Sequence, residues 1–403
     1  MIVHLATNQT GGAATAARRL HDGLRSHGVQ SRFLTANGTA DVQQGMEVMP
    51  KQYPRFWHPL THKLGIARNA DQKWQKTLKK IQIGNLFATG LDSTFCVHET
   101  ASVSEAKILN LHWVPGMISW NSFFHQSHCP MVWTLHDMNP FMGIFHYTVD
   151  RDRASQPAKQ FDTEVLAKKM SLFKTLRNKP VIVTPSKWLG EQSKNSDLFG
   201  DLRHEHIPYG LNTDVFKVYP QTFARSVFGL PTDRRLLLIV AERLDDYRKG
   251  FDLLVDAMNQ MDVPSDIELV AVGSGQIPIQ TMKCHRIGPI HDERLMALLY
   301  ASADFTAITS REDNQPNVIL ESLCCGTPVI GTPAGGIPEP IVVPTDGLVA
   351  QHCSATSIAQ TLEQSFSVSF QREKIAASAA QRFGAEVTAK RYQQLYDSIL
   401  DNQ

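Results

Sequence analysis

Short apolar runs alternate along the chain with segments whose apolar residues recur every third or fourth position. The first run, "IVHLA", suits a buried strand, "TNQTGG" turns the chain, and "AATAARRLHDGLRSHG" places Ala16, Leu20 and Leu24 at helical spacing before a stop at Gly28. "SRFLTA" predicts the next strand, and a strand–loop–helix–strand unit favours parallel pairing. Further strands are predicted in residues 106–113 ("AKILNLHW"), 130–137 ("PMVWTLHD") and 180–186 ("PVIVTPS"), each ending in polar or turn-forming residues. Ligands of open parallel sheets collect beyond the carboxyl ends of the strands. Gly11, His112, His136 and Ser186 are therefore expected along one rim.

A second set begins near residue 234. Strands are predicted in "RRLLLIVAERL", "IELVAVGSG", "DFTAITS" and "TPVIGTP", and helices in "GFDLLVDAMNQM", "HDERLMALLYASA" and "PNVILESLCCG". The fold class is therefore α/β, with two doubly wound parallel sheets in Rossmann-like domains and a ligand cleft expected between them. The joint is placed in "HIPYGLNTDVFKVYP", rich in turn residues, which sets the domains at 1–205 and 206–383. Residues 41–105 show weak periodicity. Residues 138–176 read as a long loop and then a helix, and loops of that length are often functional or mobile.

Composition changes this picture little. A chain of 403 residues, 42% hydrophobic and 20% charged, is that of a folded protein with more than one core. A formal charge of +1 gives no global attraction to nucleic acid or membrane, and no nucleic-acid partner is expected. No run of about 18 apolar residues predicts a membrane span, and the N-terminus lacks the basic start and apolar core of a signal peptide. A cytoplasmic location is expected. The six cysteines form no C-x-x-C pair and read as reduced and structural.

Five motifs could carry chemistry. "TGGAA" lets the backbone approach a ligand at a helix N-terminus, or is only a tight turn; it is not a dinucleotide fingerprint. "ERLDDYRKGFD" puts Arg243 and Lys249 after a strand, as a diphosphate clamp or as a charged surface loop with Asp245 and Asp246. His136 in "TLHD" and His112 in "NLHW" are strand-end imidazoles, fit for proton transfer, hydrogen bonding or a structural role. In "SREDNQPNVILESLCCGTPVIGTPAGGIPE", Asn317 can cap a helix, and Glu321 either faces the helix dipole or keeps its carboxylate for ligand hydroxyls, while Asp313 waits in the preceding loop.

Together these motifs resemble the retaining glycosyltransferases of the GT-B fold, family 4. The resemblance rests on an acid, seven residues and a Glu (Asp313 to Glu321), "CGTPVIGTPAGGIPE", "GGA" after the first strand, the arginine and "KG" at Arg243 to Gly250, and "IPYGLNTDVF" at the joint. The terminal "RYQQLYDSIL" resembles a last helix that returns to the first domain, so 384–403 is assigned there. The resemblance implies a nucleotide-sugar donor on the C-terminal domain. Glu321 would bind ribose, Asp313 the transferred sugar, and Arg243 and Lys249 the departing diphosphate. Asn314, Gln315, Asn317 and Val318 would complete the donor site. Gly11, Gly12 and His112 would serve substrate from the acceptor-side domain, and His136 would contact the donor sugar.

No metal and no cofactor are implied, because fixed cations can replace a metal at the leaving group. Asp313 stands where Glu is usual, Pro316 where Gly is common, and Tyr209 and Asn212 replace the commoner joint residues. "TLHDMNPFMGIFHY" resembles a subgroup acting in bacterial exopolysaccharide, O-antigen and colanic-acid assembly, which implies a glycan or a polyprenyl or other lipid-linked acceptor. Residues 51–80 hold eight Lys or Arg against one acid with Tyr53, Phe56, Trp57 and Trp74, so they suit the anionic inner face of the cytoplasmic membrane as well as a solvated surface. Two other readings stay open: a sugar-nucleotide epimerase of the same fold, and a non-catalytic nucleotide-sugar-binding homologue.

Overall fold

A computed structural model describes residues 1–50, 70–262, 264–276, 278–279 and 282–401. The chain divides into two units, Met1–Ile207 with Ala389–Gln403, and Pro208–Thr388. Among the described residues, the first unit holds a parallel sheet of seven strands: β1 (Ile2–Ala6), β2 (Ser31–Thr35), β3 (Met46–Val48), β4 (Ile108–Leu111), β5 (Met131–Thr134), β6 (Val181–Thr184) and β7 (His204–His206). Their order is β3-β2-β1-β4-β5-β6-β7, so the winding reverses between β1 and β4. Helices α1 (Gly12–Ser26), α2 (Ala70–Lys80), α3 (Gln156–Lys174) and α4 (Lys187–Lys194) belong to this unit.

The two faces of this sheet differ. Val3, Leu5, Leu109, Leu111, Met131, Trp133 and Leu135 join one apolar core. The alternate positions begin apolar, at Ile2, Ile108 and Val132, and pack with Leu20, Leu24 and the C-terminal helix. Farther along the same strands that face turns polar: His4, then Asn110 and Thr134, then His112 and His136, all buried. Period-2 alternation explains the split, because His4 lies beside Asn110 in register. Thr134 Oγ1 donates to Asn110 Oδ1, Asn110 Nδ2 donates to Tyr396, and Thr134 meets Tyr392 at 3.0 Å, so the buried groups are paired by the covering helix.

The second unit holds, among the described residues, six parallel strands: β8 (Arg235–Arg243), β9 (Ile267–Ser274), β10 (Cys284–Arg286), β11 (Phe305–Ile308), β12 (Val329–Gly331) and β13 (Gly347–Val349), in the order β10-β9-β8-β11-β12-β13. Its helices include α5 (Phe251–Gln260), α6 (Glu293–Ser302), α7 (Asn317–Cys324), α8 (Ala355–Ser365) and α9 (Arg372–Phe383). The last helix, α10 (Ala385–Leu400), begins in the second unit and belongs to the first from Ala389 onward.

Two expectations change. Residues 138–147, the start of the predicted loop before the helix, are buried throughout rather than mobile surface chain. Backbone can be buried only if its polar groups are satisfied, and two charged side chains of α3 do this. Asp162 accepts from the N–H of Ile144 and Phe145, and Lys169 donates to the carbonyls of Asn139 and Met142. A 3-10 turn at Asn139–Phe141 and a short helix at Thr148–Arg153 fill the rest. Asn317 is the first residue of α7 rather than its cap; Pro316 takes the cap position with φ −59° and gives no side-chain bond. Of the basic segment, only residues 70–80 are described, as α2; residues 51–69 lie outside the described residues.

Candidate functional site

In the second unit, two loops at strand ends are sewn together. After β8 the chain makes a 3-10 turn at Tyr247–Lys249, and Gly250 follows with φ +66°. A Cβ there would lie 2.0 Å from the Thr309 carbonyl, so only glycine permits the approach. Arg311 N–H donates to the Arg248 carbonyl, Thr309 Oγ1 to the Lys249 carbonyl, and Arg248 Nη1 to the Glu312 carbonyl. Lys249 Nζ thereby comes 2.7 Å from Asp313 Oδ2, with Arg248 Nη1 at 3.3 Å. Gly335, at φ +60°, closes the other side, where a Cβ would meet the Asp313 carbonyl at 2.0 Å.

Asp313 is 7% exposed. Burial alone would raise its pKa, but Lys249 and Arg248 outweigh it and hold the carboxyl down to about 2. Asp313 and Lys249, 64 residues apart in sequence, thus meet as one salt bridge. Arg243 does not join them. Its guanidinium is exposed and bonds both oxygens of Asp245, at 3.1 and 2.9 Å. Arg248 takes the place beside Asp313 that sequence reasoning left empty; the signal was the doublet Arg248-Lys249 itself.

Glu321 lies buried in α7, one turn beyond Asn317 and Val318. Its Oε2 accepts a 2.7 Å hydrogen bond from the hydroxyl of Tyr300 on α6. The donor anticipated from ligand hydroxyls is thus supplied at one oxygen by the protein. Tyr300 sits 21 positions away on another helix and left no local signal. Gln315 turns toward the joint, where its Oε1 accepts from Tyr209 N–H at 2.9 Å. Asn314 is buried behind Asp313 and donates its N–H to Asp313 Oδ1.

In the first unit, the expected rim residues fall at strand ends. Gly11 is the N-cap of α1 with φ +93°, Gly12 is that helix's first residue, and Ser186 caps α4 by accepting from Leu189 N–H. His112 and His136 follow β4 and β5. His112 has both ring nitrogens engaged: Nε2 lies 2.9 Å from His4 Nδ1, and Nδ1 lies 3.0 Å from His136 Nε2. Burial pushes His136 down to about 4, partly opposed by Asp137, and lowers His4 and His112 well below the usual histidine range. The imidazole that looked poised to titrate near neutrality is therefore neutral there.

Beside this row, Asp137 Oδ2 accepts from Trp113 Nε1 at 3.0 Å and meets His146 Nδ1 at 2.6 Å; the far nitrogen of His146 reaches Thr89 Oγ1 at 3.1 Å. A small pocket here is lined by Trp113, Trp133, His136, Asp137 and Asn139 among others. Asp137, His146 and Trp113 were not singled out by sequence; only the position of Asp137 next to His136 pointed there. Among the described residues, no group of three or more His, Cys, Asp or Glu is arranged to hold a metal ion.

Comparison with known proteins places this geometry. Residues 234–367, which hold Arg243, Lys249, Asp313 and Glu321, match the family described as Glycosyl transferases group 1. The chain is 26% identical over 315 residues to D-inositol 3-phosphate glycosyltransferase of Streptosporangium roseum, covering 72% of this chain and 69% of that protein. Among solved structures, sucrose-phosphate synthase from Thermosynechococcus elongatus superposes with a TM-score of 0.71 at 18% identity, over 100% of this chain and 99% of that one. Anabaena HepE in complex with UDP-glucose gives 0.66 at 16% identity, over 98% and 99%. The fold is GT-B, and the chain is a glycosyltransferase.

Proposed function

We propose that this glycosyltransferase moves a sugar, with retention of configuration and without a metal, from a nucleoside-diphosphate donor held by the second unit. The observation that carries this reading is the Lys249–Asp313 pair beside Arg248, fixed by two glycine-dependent loop contacts. Breaking a glycosyl–phosphate bond builds negative charge on the diphosphate. A cation already held in place stabilises that charge without reorganising. Lys249 is assigned this role, with the exposed Arg243 as the second cation. Glu321 binds ribose hydroxyls through its carboxylate, which Tyr300 holds at Oε2, and Asp313, Asn314, Gln315, Asn317 and Val318 frame the donor. Asp313 acts on the sugar only at its rim, since its oxygens already serve Lys249 and Asn314.

The UDP-glucose held by HepE supports a nucleotide-sugar donor here. Transfer to a glycan or lipid-linked acceptor of bacterial surface polysaccharide rests on the likeness of residues 134–147 to that subgroup. In this reading Gly11, Gly12, His112 and His136 serve substrate on the first unit, and the lysines of α2, Lys73, Lys76, Lys79 and Lys80, contribute to contact with anionic lipid at the membrane surface. A second reading, a soluble phosphorylated acceptor, is favoured by the D-inositol 3-phosphate in the name of the Streptosporangium relative.

One assay separates these readings. Each nucleotide sugar is incubated with D-inositol 3-phosphate, with a lipid-linked glycan, or with no acceptor, in the presence of EDTA. Transfer to the lipid-linked glycan with the donor's anomeric configuration kept is the expected result. An inverted product, or dependence on added metal, sinks the proposed mechanism. Isomerised donor without acceptor points to the epimerase.

A further inference from the structure

Three imidazoles of the first unit form one hydrogen-bonded row, from His4 on β1 through His112 to His136. Each contact joins two ring nitrogens and needs one proton between them. With all three rings neutral, the row carries three protons. It has four places for them: the two links and the two outer nitrogens, His4 Nε2 and His136 Nδ1. One outer nitrogen must be bare, and only two arrangements exist. A change of tautomer at His136 therefore requires the other two rings to change with it.

The environment of His4 distinguishes the two arrangements. His4 is fully buried, and its Nε2 has no hydrogen-bond partner among the described residues. Nearby, His21 spends Nε2 on the Gln44 carbonyl and Nδ1 on Ser31, so neither nitrogen turns to His4. A buried N–H without an acceptor is rarer in proteins than an acceptor without a donor. We infer that His4 Nε2 is the bare end, that the hydrogen bonds run from His4 to His112 to His136, and that this row fixes His136 as a hydrogen-bond donor at Nδ1. His4 and His112 are then positioning residues. His136 cannot accept a proton at Nδ1 and so does not serve as a base there. This deepens the proposed role of His136 and rests on that reading only for what His136 touches.

The test reads the protons directly. Full-length protein labelled with 15N-histidine is studied by long-range 1H–15N correlation at pH 7, with resonances assigned through His112→Asn and His136→Asn. His112 and His136 are expected to show protonated Nδ1 and bare Nε2. A protonated Nε2 on His136 overturns the inference, and the wild-type protein suffices to see it. In His112→Leu the Nε2–H form of His136 should appear, whereas His112→Asn, whose amide can donate, should keep Nδ1–H. A spectrum of His136 unchanged in His112→Leu removes the positioning role. If the tautomers are as expected but His136→Asn transfers sugar at the wild-type rate, the proposed contact of His136 falls while the row stands.

Discussion

Asp313 and His136 are nearly equally buried, 7% and 8% exposed, yet they sit at opposite ends of the charge scale. Asp313 stays ionised because Lys249 and Arg248 oppose the cost of burial. His136 stays neutral because burial lowers its pKa and Asp137, itself engaged by His146, opposes this only in part. The second unit has fixed full charges in place; the first has fixed dipoles. Fixed charge suits a leaving diphosphate, whereas oriented neutral donors suit hydroxyl groups. What separates the two sites is the chemistry of the partner rather than depth.

The contrast is broken most directly at Lys249. Lys249→Ala should lower turnover by two to three orders of magnitude, about 3 kcal/mol of lost leaving-group stabilisation. It also removes the nearer of the two cations beside Asp313, so a lower melting temperature is expected. Lost stability with unchanged turnover would make the pair structural. Arg243→Ala provides the matched comparison: its guanidinium is exposed, so its loss should leave melting unchanged and report on turnover only.

Acid should separate the units. His136 has a folded pKa of about 4 against an ordinary 6.5, so as pH falls the unfolded chain takes up its proton first. Stability of the first unit should drop between pH 6.5 and 4, by on the order of 3 kcal/mol from this group. Asp313 is depressed from 3.8 to about 2, so its contribution, on the order of 2 kcal/mol, is complete above 3.8 and is lost only toward 2. Hydrogen exchange at pH 5 should therefore show peptides of β1, β4 and β5 opening before those of β8 and β11. Simultaneous opening, or the reverse order, would contradict the contrast.

The sequence made the central strands plain and the outer ones invisible, for a physical reason. β1, β4 and β5, like β8, β9 and β11, are flanked on both sides and read as apolar runs. The four outer strands, "MEV", "HEH", "CHR" and "GLV", are three residues each at the sheet edges, too short to show a strand pattern in the sequence. Of the candidate site, Lys249, Asp313 and Glu321 stood out because each breaks a pattern locally. Their partners did not: Tyr300 comes from a different helix, and His4 looked like one polar residue in a strand. Such contacts depend on sheet register and helix packing, which local spacing does not encode. The loop and helix of 138–176 were legible, but the burial of 138–147 was not, since Asp162 and Lys169, which satisfy its backbone, lie on the following helix.

The smallest expected effect tests whether Glu321 belongs with the charged site or with the neutral one. Tyr300 is fully buried, and its hydroxyl donates to Glu321 Oε2 at 2.7 Å. Tyr300→Phe removes that bond with ring packing kept, and should cost about 1.5–3 kcal/mol, as for a hydrogen bond to a carboxylate. If the bond holds the carboxylate in place for ribose, nucleoside-diphosphate affinity measured by calorimetry should weaken several-fold in Tyr300→Phe and far more in Glu321→Ala. If Glu321 serves only the dipole of α7, both variants should melt earlier and bind nucleotide as the wild type does. Weakened binding in both, graded in that order, would set Glu321 beside Asp313 as a carboxylate positioned by the protein for a ligand.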